Sequence, residues 1–219
     1  MVYMNLDDVE IMSTSPETLV RLQDGRLTTF PVAGSRPRGK DEAEDEALVK
    51  DLLSDEKELS EHNMLVDLGR NDLGRIAEYG TVDVTKYMMI HKYSKIMHIC
   101  SQVEADIRSD ADALDAVKSV LPAGTLSGAP KIRACEIIDE LEPVPRGIYG
   151  GALGYVDFGG NMDTCIAIRM AVKKNNKVYV QAGGGIVADS VPANEYQESA
   201  NKAKAVMLAI ENAKEAVRI

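Results

Sequence analysis

Leu19-Val20-Arg21-Leu22-Gln23-Asp24-Gly25-Arg26-Leu27-Thr28-Thr29-Phe30-Pro31 carries two β-prone runs hinged on an Asp-Gly pair, the dipeptide that most readily takes up the positive φ values of a tight hairpin turn. Strands joined by so short a turn lie antiparallel. Working outward, residues 2 to 32 read as β, with apolar positions alternating around Asp7-Asp8. From Asp41 to Arg75 the apolar spacing changes to three and four, through Leu48, Leu52, Leu53, Leu59, Met64, Leu65 and Leu68, which is a helical pattern. Its acidic run, Asp41 to Glu46, reads as a solvated first turn favoured by the helix dipole. Val82 to Val103 returns to β character, Ala111 to Leu121 forms a short helix, and the Gly-rich loop Pro122 to Pro130 opens a helix over Lys131 to Leu141. Two glycine-punctuated strands are expected at 147–158 and 163–172; a turn at Lys174-Asn175-Asn176 then leads into Val178 to Ala182, where Gly183-Gly184-Gly185 breaks the strand. A long Ala-rich helix closes the pattern from about Pro192 to Val217, with its proline in the first turn. Strand runs and helix runs are segregated, so the expected class is α+β with mostly antiparallel sheet and flanking helices.

A chain of 219 residues with 45% hydrophobic content buries one sizeable core, so one large domain over residues 1–219 is expected. The formal charge of −10 disfavours a nucleic-acid partner, because binding phosphates takes clustered Lys and Arg. Cys100, Cys135 and Cys165 are odd in number and far apart, which fits a reducing compartment and small buried hydrophobes better than a disulfide framework. The N-terminus has no basic segment followed by an apolar one, and no stretch approaches the ~20 apolar residues of a membrane span. A soluble, cytoplasmic protein is expected, with no membrane partner.

Among residues able to do chemistry, Glu58 with Glu61 and Glu195 with Glu198 form two carboxylate pairs at i,i+3 on expected helices, each pair sharing a face. Four such carboxylates converging would suit Mg2+, which prefers oxygen ligands and keeps several waters. Glutamates at this spacing are equally an ordinary solvated helix surface, and the spacing alone does not decide. Gly183, Gly184 and Gly185 follow a strand and would let backbone N–H groups approach an anion, although a glycine run after a strand is also a common turn. The loop Pro122-Ala123-Gly124-Thr125-Leu126-Ser127-Gly128-Ala129-Pro130-Lys131 offers hydroxyls, N–H groups and a helix start, or simply a capped helix. It lacks the P-loop pattern. His62, His91 and His98 show no zinc spacing and read as structural residues. Arg169 lies within the apolar run Cys165 to Val172, and a charge in a buried strand needs a partner, either a carboxylate ligand or an internal Glu.

Several blocks in this order resemble the chorismate-utilising enzymes, and most closely the large subunits of the anthranilate synthases. They are Ser15-Pro16-Glu17; Pro31-Val32-Ala33-Gly34-Ser35-Arg36-Pro37-Arg38-Gly39; Glu61-His62 through Asp67-Leu68-Gly69-Arg70-Asn71-Asp72-Leu73; the Pro122 to Lys131 loop; Arg146-Gly147-Ile148-Tyr149-Gly150-Gly151; and Ala182 to Val187 followed by Asp189-Ser190-Val191-Pro192 and Glu195. They span nearly the whole chain.

The resemblance implies an antiparallel β-sandwich with flanking helices and a Mg2+-dependent carbon–oxygen lyase that turns chorismate and ammonia into anthranilate and pyruvate. It also implies a glutamine amidotransferase small subunit as the ammonia source. It assigns Mg2+ to Glu61 and Glu198, with Glu58 and Glu195 acting nearby through water. The ring carboxylate of chorismate falls to the N–H groups of Gly183 to Gly185, and the enolpyruvyl carboxylate to Tyr149 and Arg169. Thr125 and His98 match ring-side positions, and Glu17 matches the acid that protonates the departing 4-hydroxyl. Ala33, where aminodeoxychorismate synthases carry Lys, and the sequence Pro122-Ala123-Gly124-Thr125, which differs in isochorismate synthases, both favour the anthranilate-forming members. Those enzymes are the alternatives, together with a folded but catalytically silent fragment. The family's large subunits are longer, so the expectation is a C-terminal part lacking the tryptophan feedback region and the opening strands, with an unpaired sheet edge left exposed.

Overall fold

Asp24 and Gly25, at φ +51 and +79, close a two-residue hairpin between β3 (Thr18–Gln23) and β4 (Arg26–Thr29), with Gln23 opposite Arg26. Asn175 and Asn176, at +51 and +58, do the same between β10 (Met170–Lys174) and β11 (Lys177–Val180). Both pairs of positive φ values are those of a type I′ turn, whose twist matches that of the strands it joins. These turns belong to a computed structural model that describes residues 1–216.

The chain forms two compact units. The first comprises Met1–Pro16, Thr125–Leu153 and the chain from Cys165 onward. It holds a four-stranded sheet in the order β1-β2-β10-β11, with β1 (Val2–Leu6) and β2 (Val9–Ser13) joined at Asp7-Asp8. Ile11, Leu153, Ala167 and Met170 form its buried cluster. Tyr3, Leu6, Val178 and Tyr179 stay exposed on the two edge strands, β1 and β11. Helices α5 (Lys131–Leu141) and α6 (Pro192–Ala216), and the single turn α4 (Gly124–Ser127) at its boundary, complete the unit. The expected last residue of α6, Val217, lies outside the described residues.

The second unit comprises Glu17–Gly124 and Gly154–Thr164. Its sheet runs β5-β7-β4-β3-β9-β8, with β6 on the outer side of β7; here β5 is Val32–Pro37, β6 Asp83–Lys92, β7 Ile96–Asp106, β8 Ala152–Val156 and β9 Met162–Ile166. The pairs β3–β4, β4–β7, β5–β7 and β6–β7 are all antiparallel, as the α+β expectation requires. Helices α1 (Glu42–Ser54) and α2 (Glu56–Gly74) lie on β5 and β7, burying Leu52, Met97 and Ile99 with Leu48, Val49 and Leu59 against them. Asp55 separates the two helices, ending one and capping the next by accepting from the N–H groups of Lys57 and Glu58. The short helix α3 (Ala113–Val120) starts on an Asp112–Asp115 capping box. No helix of the described residues is long and apolar enough to cross a membrane.

Three expectations are corrected. The run 163–172 is not one strand: it breaks at Ala167–Arg169 into β9 and β10, which belong to different sheets. Arg169 is consequently exposed on a bend at φ +49, not buried in a strand. The acidic run at the start of α1 is not wholly solvated either. Asp41 caps the helix by accepting from Glu44 N–H, but Asp45 is only 3% exposed. The Arg38 guanidinium donates to both Asp45 oxygens, at 2.5 to 3.1 Å, and the Gly39 N–H donates at 2.7 Å. Of the cysteines, Cys100 is buried and Cys135 and Cys165 are half-buried.

Two stability measurements follow from this packing. A Cβ at Gly154 would sit 2.1 Å from the Asp163 carbonyl oxygen and 2.7 Å from Thr164 Cα, both backbone atoms. Gly154→Ala is therefore expected to lose about 1–3 kcal/mol in urea unfolding, and an unchanged midpoint would show that the strands have room to part. Arg38 and the Gly39 N–H hold the Asp45 carboxyl well below the usual carboxylate range. A depressed folded pKa contributes stability above the unfolded value of about 3.9 and loses it as pH falls toward the folded one. Thermal melts between pH 6 and pH 2 should show a shallower acid limb for Asp45→Asn than for the parent; identical slopes would refute the assignment.

Candidate functional site

In the second unit the candidate residues gather around one glycine. Gly34 is the extra residue where the pairing of β5 with β7 slips between Ala33 and Ser35, and its φ of +73 is a value side chains rarely adopt. A Cβ there would lie 3.2 Å from Glu58 Oε2 and 3.1 Å from Ile99 Cδ1. The missing side chain is what lets the half-buried Glu58 reach the strand. Glu58 also stands 3.6 Å from the guanidinium of Arg36, which bonds Asp51 at 2.6 Å and Asp55 at 2.9 Å. Glu61, at i+3 on the same helix, is exposed.

The Gly34 carbonyl lies 3.1 Å from His98 Nδ1. A carbonyl only accepts, so Nδ1 carries a proton, and whenever the ring is neutral its lone pair is on Nε2. Tyr93 meets the same ring edge-on, with centroids 5.9 Å apart. His98 is thus half-buried, fixed in orientation and presented as a base at Nε2. Glu17 is half-buried just ahead of β3 in the same unit, and Ala33 is buried beside the bulge. Of the other histidines, His91 is exposed, while His62 is wholly buried and bonded through Nε2 to Ser101 Oγ at 2.6 Å. Burial pushes its imidazole pKa down.

In the first unit the candidates gather around the glycine loop. Tyr149 sits on the turn before β8, where Gly150 N–H donates to the Ala167 carbonyl at 2.9 Å and Ala167 N–H donates to Gly151 at 2.8 Å. This places the Tyr149 turn two residues from Arg169. The Tyr149 hydroxyl would be 3.4 Å from a Cβ on Gly183. Burial pushes its phenol pKa up, while the charges of Arg146 and Arg169 and the Gly183 N–H pull it down. Arg146 in turn donates to the Leu126 carbonyl at 2.6 Å, tying the turn that carries the exposed Thr125 to the Tyr149 segment.

Helix α6 clasps the same loop from one face. Glu195 Oε2 would be 3.4 Å from a Cβ on Gly184, and Ser190 Oγ, which accepts from the Val187 N–H, donates to Glu195 Oε1 at 2.8 Å. Lys202 Nζ donates to the Gly183 carbonyl at 3.2 Å and pairs with Glu198 at 2.6 Å. A cavity of about 400 Å³ opens there, lined by Gly184, Val187, Ser190, Glu195 and Tyr196 among others. The first unit thus brings Tyr149 close to Gly183 and within the field of Arg169, with Glu195 against Gly184, Glu198 on the same helix and Gly185 in the same loop. Two residues were missed by sequence reasoning. Lys202 lies at i+4 from Glu198 and i+7 from Glu195, a same-face spacing that would have found it; Arg146 lies inside a block already singled out.

Among the described residues, no three His, Cys, Asp or Glu side chains form a preassembled metal nest. The donors on offer are carboxylate pairs, Glu58 with Glu61 on α2 and Glu195 with Glu198 on α6. All-oxygen donors few in number fit Mg2+, which takes one or two protein carboxylates and fills its remaining positions with water and substrate.

Residues 1–208 match the family described as chorismate binding enzyme. The anthranilate synthase component 1 of Pseudomonas aeruginosa is 58% identical over 217 residues, covering 99% of this chain and 44% of that protein. Among solved structures, the anthranilate synthase component I of Streptococcus pneumoniae superposes with a TM-score of 0.87 at 51% identity, over 94% of this chain and 45% of that one. The menaquinone-specific isochorismate synthase of Escherichia coli superposes at 0.82 and 28% identity, over 94% and 47%. The chain spans less than half the length of these relatives.

The neighbourhood of Tyr149 is open to direct measurement. Removing a positive charge disfavours the phenolate, so Arg169→Met should raise the Tyr149 titration midpoint, read by NMR with ring-labelled tyrosine. A midpoint unmoved by the substitution would place the guanidinium away from the phenol.

Proposed function

The chain belongs to the chorismate binding enzyme family, and on that premise we propose that it is the chorismate-binding part of an anthranilate synthase large subunit. The reaction proposed for the whole enzyme joins ammonia to C2 of chorismate with loss of the 4-hydroxyl, then eliminates pyruvate to leave anthranilate. Ammonia would come from a glutamine amidotransferase partner, and the setting would be the cytoplasm and tryptophan biosynthesis. The observation that carries this reading is the near end-to-end likeness to anthranilate synthase component 1, at about twice the identity shared with the isochorismate synthase. Ala33 supports it against aminodeoxychorismate synthesis, because a position only 9% exposed beside the bulge holds a methyl group where those enzymes carry an ammonium.

Glu61 and Glu198 would be the residues to hold Mg2+, with Glu58 and Glu195 acting through water, and the bound ion would supply positive charge to the ring carboxylate. The chain's own residues supply the rest. Backbone N–H groups of Gly183 to Gly185 would bind the ring carboxylate. The Arg169 guanidinium and the Tyr149 hydroxyl would hold the enolpyruvyl carboxylate, for which a planar fork is the suited geometry. Thr125 would line the ring. Hydroxide is a poor leaving group, so Glu17 would deliver a proton to the 4-hydroxyl and release it as water. The second step removes the C2 proton and breaks the bond from C3 to the enolpyruvyl oxygen, which departs as pyruvate. His98, with Nδ1 committed to the Gly34 carbonyl, would accept that proton at Nε2 in its neutral form.

The test uses the chain restored to the length of its relatives, supplied with chorismate, Mg2+ and a high concentration of ammonium. Glu17→Gln should depress ammonia addition about 10²–10⁴-fold, leaving chorismate unreacted. His98→Ala should spare addition and accumulate the amino-enolpyruvyl intermediate, detected by mass. Both variants leaving chorismate untouched would refute the division of labour, and a restored parent that forms no fluorescent anthranilate would refute the assignment itself.

A further inference from the structure

His62 sits in the middle of the apolar seam by which α2 meets the sheet, three residues after Leu59 and four before the buried Val66. It is 0% exposed, and its Nδ1 has no hydrogen-bond partner among the described residues. A leucine or phenylalanine would fill such a position without burying a half-satisfied polar ring, whose unpaired atom is a net cost to the fold. What the imidazole supplies is direction. Its Nε2 bonds Ser101 Oγ at 2.6 Å, and that hydroxyl oxygen also accepts the Met88 N–H at 3.0 Å. Met88 stands at φ +51, in a stretch where the β6–β7 register slips between Lys86 and Met89. The Ser101 N–H donates to the Pro31 carbonyl at 2.9 Å, at the step from β4 to β5. Ser101 therefore knots together irregular positions in the strands on both sides of β7, and His62 ties the helix to that knot.

We propose that His62 is the positioning residue for the Glu58 and Glu61 carboxylates, fixing the rotation of α2 about its axis through Ser101. Apolar contacts alone hold a helix against a sheet without choosing one rotation sharply, whereas a buried directional bond does. At about 100° per residue, Glu58, four residues before His62, emerges within about 40° of the locked direction and packs at Gly34. Glu61, one residue before it, emerges about 100° away, beside the seam and open to a ligand. A small rotation would carry both carboxylates off together. This inference rests on the proposed Mg2+ role of Glu61.

The experiment measures divalent-cation affinity of the chain by water-proton relaxation with Mn2+ standing in for Mg2+, alongside thermal melting, for His62→Leu, His62→Gln, Ser101→Ala and Glu61→Gln. His62→Leu is expected to melt close to the parent but to bind Mn2+ about 10-fold more weakly or worse, the effect typical of losing a ligand's supporting contact. His62→Gln, whose amide nitrogen reaches the place of Nε2, should recover most of that affinity. Ser101→Ala should weaken binding in the same direction and speed amide hydrogen exchange at Met88. If Glu61→Gln loses the cation while His62→Leu and Ser101→Ala keep it, the positioning role is overturned and the metal reading stands. If Glu61→Gln itself binds as the parent does, the metal reading fails and takes this inference with it. Should His62→Leu not fold, Ser101→Ala decides alone: unchanged affinity there overturns the proposal.

Discussion

Helix α2 lies so close to its sheet that two glycines are needed to let it in. A Cβ on Gly34 of β5 would press on Leu52, Ile99 and Glu58 at 3.1 to 3.3 Å, and one on Gly69 of the helix would meet Thr29 Cγ2 at 3.1 Å. Close approach is what buries Val66 and Leu73 and completes the Leu52–Met97–Ile99 cluster. The same approach decides the chemistry of the face. It brings Glu58 to the bulge, whose carbonyl sets the His98 tautomer, and it leaves His62 no solvent, so that its single bond to Ser101 becomes a fixed point. One packing distance thus governs three polar side chains.

The first unit reaches a related result by other means. There Gly183 and Gly184 are not bulge residues at positive φ; they are places where side chains from elsewhere come close to bare backbone. Tyr149 approaches Gly183, Glu195 approaches Gly184, and Lys202 holds the Gly183 carbonyl from the helix side. With its carbonyl side engaged by an ammonium, the loop is steadied from the helix. Arg146 performs the same service for the Thr125 turn through the Leu126 carbonyl.

Much of this was legible in the sequence because the signals were local. Asp24-Gly25, the three-and-four spacing from Leu48 onward and the proline-started last helix each specify their own element. The i,i+3 glutamates declared a shared face, but which of them would be half-buried depended on the Gly34 bulge, a register slip with no counterpart in hydrophobic pattern. Arg169 shows the opposite failure. Its run is apolar from end to end, so periodicity joined β9 to β10, and the left-handed break fell on an arginine where a glycine would have given it away. The burial of Asp45 was hidden because its partner, Arg38, lies just past the end of β5, outside its own acidic run.

A net charge of −10 raises a question for any reading in which the ligand is an anion, since the mean field of the chain repels it. At an ionic strength near 0.15 M the screening length is about 8 Å, so what an anion meets at contact is local charge and not the total. In the first unit the local balance differs from the mean. Arg146, Arg169 and Lys202 serve the Tyr149 turn and the glycine loop, and the carboxylates among them are largely spoken for: Glu142 pairs with Arg146, Glu198 with Lys202, and Glu195 accepts from Ser190. Backbone N–H groups add positive potential without adding a formal charge to the count. On the proposed reading the anionic ligand is held by the loop and its flanking cations, so an acidic chain and an anionic substrate are compatible.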